Sequence, residues 1–225
     1  MAKADVRFKF WGVRGSLPSP GEDTSIYGGD TPCMEITTPS TRIVLDCGSG
    51  MRRLGNALME NPDDRETIIL LGHPHFDHVC GLPFFTPIFI PGQHFRIGAA
   101  DPHDMRMLMP RLFCRPFFPV EEAMLGSDLD YFQPPVSGTM QLTDDVKLIT
   151  RPLNHPGGCT GFRIETHGIA IAYCDREERA FLKDIEKLTR QKLTEEALPQ
   201  GFMQAVEALK DVSIEIKEGE LMSVL

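Results

Sequence analysis

Residues 71–81 read Leu71-Gly72-His73-Pro74-His75-Phe76-Asp77-His78-Val79-Cys80-Gly81, and within them His73, His75, Asp77 and His78 form an H-x-H-x-D-H cluster. The cluster follows the apolar, β-branched run Thr67-Ile68-Ile69-Leu70-Leu71, which reads as a buried strand. His73 and His75 lie two apart on extended chain, so both imidazoles can point the same way. Asp77 and His78 come where the chain turns into a helix, and a carboxylate there gains from the free N–H groups and the positive helix end. The spacing therefore aims two imidazoles at one point and a carboxylate plus a third imidazole at a neighbouring point. Imidazole nitrogen and carboxylate oxygen suit zinc, iron or manganese. Three of the chain's seven histidines fall within these six positions, a concentration that solvated loop histidines do not explain.

Working outward, Val6–Val13 alternates and carries aromatic and β-branched residues, so it reads as a first strand running into a Gly- and Pro-rich loop through Pro32. Cys33–Thr38 and Arg42–Asp46 read as a hairpin ending in the glycine turn Asp46-Cys47-Gly48-Ser49-Gly50, where backbone can approach closely. Met51–Met59 and His103–Phe113 are expected helices, the latter with a Met/Leu face suited to the core. Phe95–Ala99 is an expected strand. Cys114–Gly138 reads as a long surface loop or flap, whose aromatics either wall a pocket or cover the core. Thr139–Leu153 holds two strands, and Cys159–Thr166 and Ile169–Cys174 two more. Glu177–Leu193 and the stretch around Phe202, Val206 and Leu209 are expected helices, and Val212–Ile216 and Leu221–Leu225 short strands.

Two further positions share the cluster's placement just past an apolar strand. They are His155, beside Gly157 and Gly158, which leave room for a substrate, and Asp175, whose alternative use is a helix N-cap. Strand ends converge on one rim of a sheet, so distant residues can meet there. Asp175 as a bridging carboxylate would hold two metals ~3.5–4 Å apart.

Composition narrows the function. The chain has 225 residues, enough for one generous domain over positions 1–225 with a full core. No apolar run is long enough to span a membrane, and the N-terminal residues carry no apolar signal core, so a cytoplasmic protein is expected. The six cysteines (33, 47, 80, 114, 159, 174) are scattered without a C-x-x-C pair, which speaks against a disulfide framework or zinc knuckle. A net charge of −9 argues against a nucleic-acid partner with a large footprint. It allows a small phosphate ester held by metals and one or two arginines, and leaves a homo-oligomer open.

The order of H-x-H-x-D-H, His155 and Asp175 resembles the metal motifs of the metallo-β-lactamase superfamily. Gly12-Val13-Arg14-Gly15-Ser16, Gly28-Gly29-Asp30-Thr31, Leu45-Asp46-Cys47-Gly48-Ser49-Gly50 and Gly81-Leu82-Pro83 are similar to the branch that includes ribonuclease Z and the cyclic phosphodiesterase of phosphonate breakdown. The resemblance spans roughly residues 5–176 and implies an α/β fold, an αββα sandwich with the metals on one edge. It implies His73, His75 and His155 on a first metal, with Asp77, His78 and a bridging Asp175 on a second. Two divalent cations, zinc first and manganese or iron as alternatives, would make hydroxide available near neutral pH. Asp77 would orient that hydroxide or take its proton, and Arg14, Gly157 and Gly158 would contact substrate.

The part after about 176 is shorter than the family's and lacks its late histidine, the last one here being His167. Fewer protein ligands plus water, a ligand from a partner chain, or a weak second site would each accommodate that. His94 and His103 have no spacing that favours them as substitutes. The expected activity is hydrolysis of a small or cyclic phosphodiester. The alternatives are a thioester, lactone or carboxylic ester hydrolase at the same site, or a non-catalytic metal-binding module.

Overall fold

A computed structural model describes residues 6–167, 169–173, 213–215 and 221–224. The strands are β1 (Arg7–Gly12), β2 (Cys33–Thr37), β3 (Thr41–Leu45), β4 (Glu66–Leu71), β5 (His94–Ala99), β6 (Asp128–Phe132), β7 (Gly138–Gln141), β8 (Val146–Leu153), β9 (Cys159–Thr166), β10 (Ile169–Tyr173), β11 (Ser213–Glu215) and β12 (Leu221–Val224). The helices are α1 (Gly50–Glu60), α2 (Phe76–Val79) and α3 (Met105–Leu112). The strands form one sheet in the order β11-β1-β2-β3-β4-β5-β6 and a second in the order β12-β10-β9-β8-β7.

The first sheet is buried on both faces, which is why its central strands are continuous apolar runs rather than alternating ones. Along β3 and β4, Ile43, Leu45, Ile68 and Leu70 pack with Val146 and Leu148 of β8 and Phe162 and Ile164 of β9. The intervening Val44, Ile69 and Leu71 turn the other way, onto Met51 and Leu54 of α1 and Met105 and Met109 of α3. Period-two alternation thus builds helix, sheet and sheet as successive layers. In the second sheet β9 does alternate: Thr160, Phe162, Ile164 and Thr166 are buried, while on the other face Glu165 accepts from both Arg163 and Lys147.

Most of the expected elements are present. One correction concerns Cys114–Gly138, which is not a continuous loop: Asp128–Phe132 is β6, paired in parallel with β5 at the sheet edge. Its pattern, Asp-Leu-Asp-Tyr-Phe, puts carboxylates in an edge strand, a common way to keep an edge from pairing further. The aromatics of that segment divide. Phe118 packs edge-on against Phe113 and Phe84 at the core's margin, whereas Phe117 stands in solvent. The expected helices over 177–193 and around 202–209 lie outside the described residues. No helix among the described residues is long and apolar enough to cross a membrane.

A buried ion network braces the first sheet. Arg42 of β3 donates from Nε to Glu35 (2.6 Å) and from Nη1 and Nη2 to Asp63 (3.2 and 2.5 Å), while the Trp11 indole donates to Glu35 (2.9 Å). Burial opposes the guanidinium charge, but Asp63 and Glu35 more than offset this and hold Arg42 above its usual range.

Candidate metal centre

β3, β4 and β5 run parallel, so their C-terminal ends lie on one rim. Asp46 directly follows β3, and His73 stands two positions past the end of β4; the end of β8 brings His155 to the same rim. Thr160 at the start of β9 donates its N–H to the Gly72 carbonyl (2.9 Å), joining the two sheets beside the cluster.

His73, His75 and His155 converge. One ring nitrogen from each lies within 4.8 Å of the others, and His75 Nδ1 and His155 Nε2 are 3.1 Å apart. His73 is buried, His155 half-buried and His75 exposed, so the group is anchored in the fold and opens to solvent. Burial pushes His73 down from 6.5 to about 4, the His78 imidazole adding to this and Asp46 acting against it. A neutral imidazole with its lone pair available is what a cation requires. This donor set fits a divalent ion that accepts nitrogen ligands, zinc foremost.

A second pair sits beside the first. The His73 and His78 ring centroids are 4.1 Å apart, and His78 Nε2 is 3.6 Å from Asp77 Oδ2. His78 Nδ1 donates to Asp46 Oδ2 (2.9 Å), leaving Nε2 turned toward Asp77, so the carboxylate fixes the His78 tautomer with its Nε2 lone pair free to accept. Asp46 is itself fixed, since its Oδ1 accepts from the Gly72 amide (2.9 Å) and its side chain is 2% exposed. Asp77 Oδ2 accepts the Ser16 backbone N–H (2.7 Å).

The sequence assigned Asp46 no role beyond a strand end. Its signal was an acidic residue at the close of an apolar strand, immediately before glycine.

The glycines explain how α2 reaches this place. A Cβ on Gly81 would overlap the Gly48 carbonyl, and one on Gly48 would collide with the Asp77 carbonyl. Across that contact Cys47 N–H donates to His78 O (2.7 Å) and Gly81 N–H to Cys47 O (2.8 Å). On the other side Gly157 and Gly158 both take left-handed backbone (φ +86° and +87°), which turns the chain after His155 at little cost. His103 Nε2 donates to the Gly158 carbonyl (3.1 Å) and so holds this loop; of the two spare histidines, it is the one found near the site.

Arg14 is exposed in the loop that carries Ser16, with Nε donating to the Leu17 carbonyl (3.2 Å). Asp175 lies outside the described residues.

Residues 26–168 match the Metallo-beta-lactamase superfamily. No curated protein matches the chain. Solved structures share the fold at low identity. The metallo-beta-lactamase fold protein YhfI from Bacillus subtilis is 15% identical (76% of this chain, 62% of that one, TM-score 0.52). The short form of human tRNase Z, ELAC1, is 17% identical (75% and 68%, TM-score 0.53). A diphosphatase from the PhnP family is 16% identical (75% and 65%, TM-score 0.52). The match to YhfI thus spans less than two thirds of that chain's length. The fold, the converging imidazoles and the extent of the sequence match lead to one conclusion: this chain belongs to the metallo-β-lactamase superfamily.

Proposed function

We propose that this protein is a metal-dependent hydrolase whose substrate is a small phosphodiester. The observation that carries this reading is the convergence of His73, His75 and His155 within 4.8 Å, at the rim where two sheets meet. In this reading those three residues hold one divalent ion, zinc by preference, and Asp77 and His78 hold a second together with Asp175. When bound, the ions supply Lewis acidity, which lowers the pKa of water and offsets charge building on phosphoryl oxygens.

The chain's own groups do the rest. Asp46 keeps the His78 Nε2 lone pair facing the site by taking the Nδ1 proton's hydrogen bond. With Oδ2 of Asp77 engaged by Ser16, Oδ1 is the oxygen left to accept a proton from the attacking water. The exposed Arg14 guanidinium is the cation available to pair with a phosphate, and the Gly157-Gly158 backbone leaves room for substrate beside His155. The net charge of −9 favours a compact anion over a long polyanion. The neighbouring folds include a tRNase Z and a PhnP-family diphosphatase, and this supports phosphoryl over carboxylic ester chemistry.

The test combines metal content with a substrate screen. Protein purified without added metal or chelator should contain about two ions per chain and turn over bis(p-nitrophenyl) phosphate. Turnover of p-nitrophenyl acetate or a thioester alone would move the assignment to carboxylic ester hydrolysis. Absence of bound metal, even after soaking with zinc and manganese, would remove the hydrolase reading.

A further inference from the structure

Asp77 and His78 are each held by a residue outside the cluster, and both of those residues stand in left-handed backbone. Ser16 has φ +73° and Asp46 φ +61°; His167 is the remaining non-glycine residue with positive φ among the described residues. Such a conformation is unfavourable for a side-chain-bearing residue and persists where surrounding contacts over-determine it. At Asp46 those contacts are plain, since both carboxylate oxygens are engaged. At Ser16 they are few.

Ser16 and its neighbours Gly15 and Leu17 are exposed, so packing does not dictate the turn, which is closed locally by the Leu17 N–H on the Gly15 carbonyl (3.0 Å). The Ser16 hydroxyl has no hydrogen-bond partner among the described residues, so the side chain does not dictate it either. The loop is closed at its base, where Val13 and Arg14 both donate N–H to the Asp30 carbonyl (3.0 Å each) and Ser19 donates to Gly29 (2.9 Å). The base is in turn tied to the scaffold, because the Asp30 carboxylate accepts from the Ser49 hydroxyl at the start of α1 (2.7 Å). Between base and tip, the contact that crosses to the site is the Ser16 N–H on Asp77 Oδ2, 2.7 Å long and 61 positions apart in sequence.

We infer that the Ser16 backbone amide is a positioning donor for Asp77. The left-handed turn at Ser16 aims one N–H at Asp77 Oδ2, the oxygen that faces His78 Nε2, and so sets that carboxylate's orientation toward the second ion. The loop from Val13 to Asp30 is then part of the metal centre's support, and it places Arg14 two residues from this anchor. The inference rests on the two-ion reading above.

The test is a zinc titration of the chelator-stripped full-length protein against a competing chromophoric chelator, which reads the two affinities without any turnover. Ser16→Gly keeps the N–H and takes φ +73° freely, so it should retain both affinities within about twofold. Ser16→Pro removes the N–H and forbids positive φ. It should weaken the second ion about ten- to a hundredfold and leave the first unchanged. A chain with residues 15–28 excised, joining Arg14 to Gly29, should do the same and stands in if the proline variant fails to fold. Native second-ion affinity in either variant, or equal weakening of both ions, would overturn the inference. A parent protein that takes up only one ion would overturn the two-ion reading itself, and this inference with it.

Discussion

His75 and His155 stand with ring nitrogens 3.1 Å apart although eighty positions separate them. Each comes from a different sheet, so the contact is made only when the two sheets are assembled. Replacing His155 with Ala should therefore abolish first-site binding without unfolding the chain, because the side chain is half-exposed and outside both cores. In the parent protein, zinc at a hundred times its Kd should add about 2.7 kcal/mol of stability. Thermal melts with and without zinc should show that increment in the parent and a small fraction of it in His155→Ala.

Asp46 offers a sharper substitution. Asn tolerates left-handed backbone better than most residues and keeps the shape, so Asp46→Asn removes charge while preserving the turn. The amide can still accept one hydrogen bond, but it no longer favours the Nδ1–H form of His78. Affinity for the second ion should fall about ten- to a hundredfold, as read by competition titration, with the melting temperature of the chelated protein little changed.

The depressed His73 pKa gives a pH signature in chelated protein. Folded His73 stays neutral to about pH 4, while the same residue unfolded takes a proton near 6.5. Between those values the unfolded state binds more protons, so stability is highest above about 6.5 and declines as pH falls toward 4. Asp63, Asp145 and Glu165 are each held below their ordinary values by hydrogen bonds from basic or hydroxyl groups that more than offset their burial. Their contribution is lost at still lower pH. Urea unfolding from pH 8 to pH 4.5 should show the decline, and His73→Gln should flatten it.

Arg42 and Glu35 are 5% and 10% exposed at their side chains, so removing one strands the other. Arg42→Met should cost about 3–5 kcal/mol by urea unfolding at fixed zinc. The Arg96–Glu66 pair is more exposed, and Glu66→Gln should cost no more than about 1 kcal/mol. Equal losses would contradict the distinction drawn from burial.

The central sheet was readable because burial on both faces leaves an unmixed signal: Ile43-Val44-Leu45 and Ile68-Ile69-Leu70-Leu71 have no polar phase to confuse. The histidines were readable because spacing of two on extended chain has a geometric meaning. β6 was hidden because an edge strand need bury little, and Asp128 and Asp130 look like loop residues when their pairing partner is unknown. Asp46 and Ser16 were hidden for another reason. Their roles rest on hydrogen bonds across 32 and 61 positions, one of them made by a backbone amide whose side chain carries no trace of it.

The Gly48–Gly81 contact has a mechanical consequence. With two backbone hydrogen bonds bridging it and no side chain between, α2 cannot slide or tilt against the end of β3 without backbone overlap. The three histidines and the aspartate of residues 73–78 therefore move with the first sheet as one body. His155 belongs to the second, and reaches the cluster through a glycine pair pinned at Gly158 and by Thr160 on Gly72. Any slip between the sheets would therefore change the spacing of the three imidazoles at His155 alone.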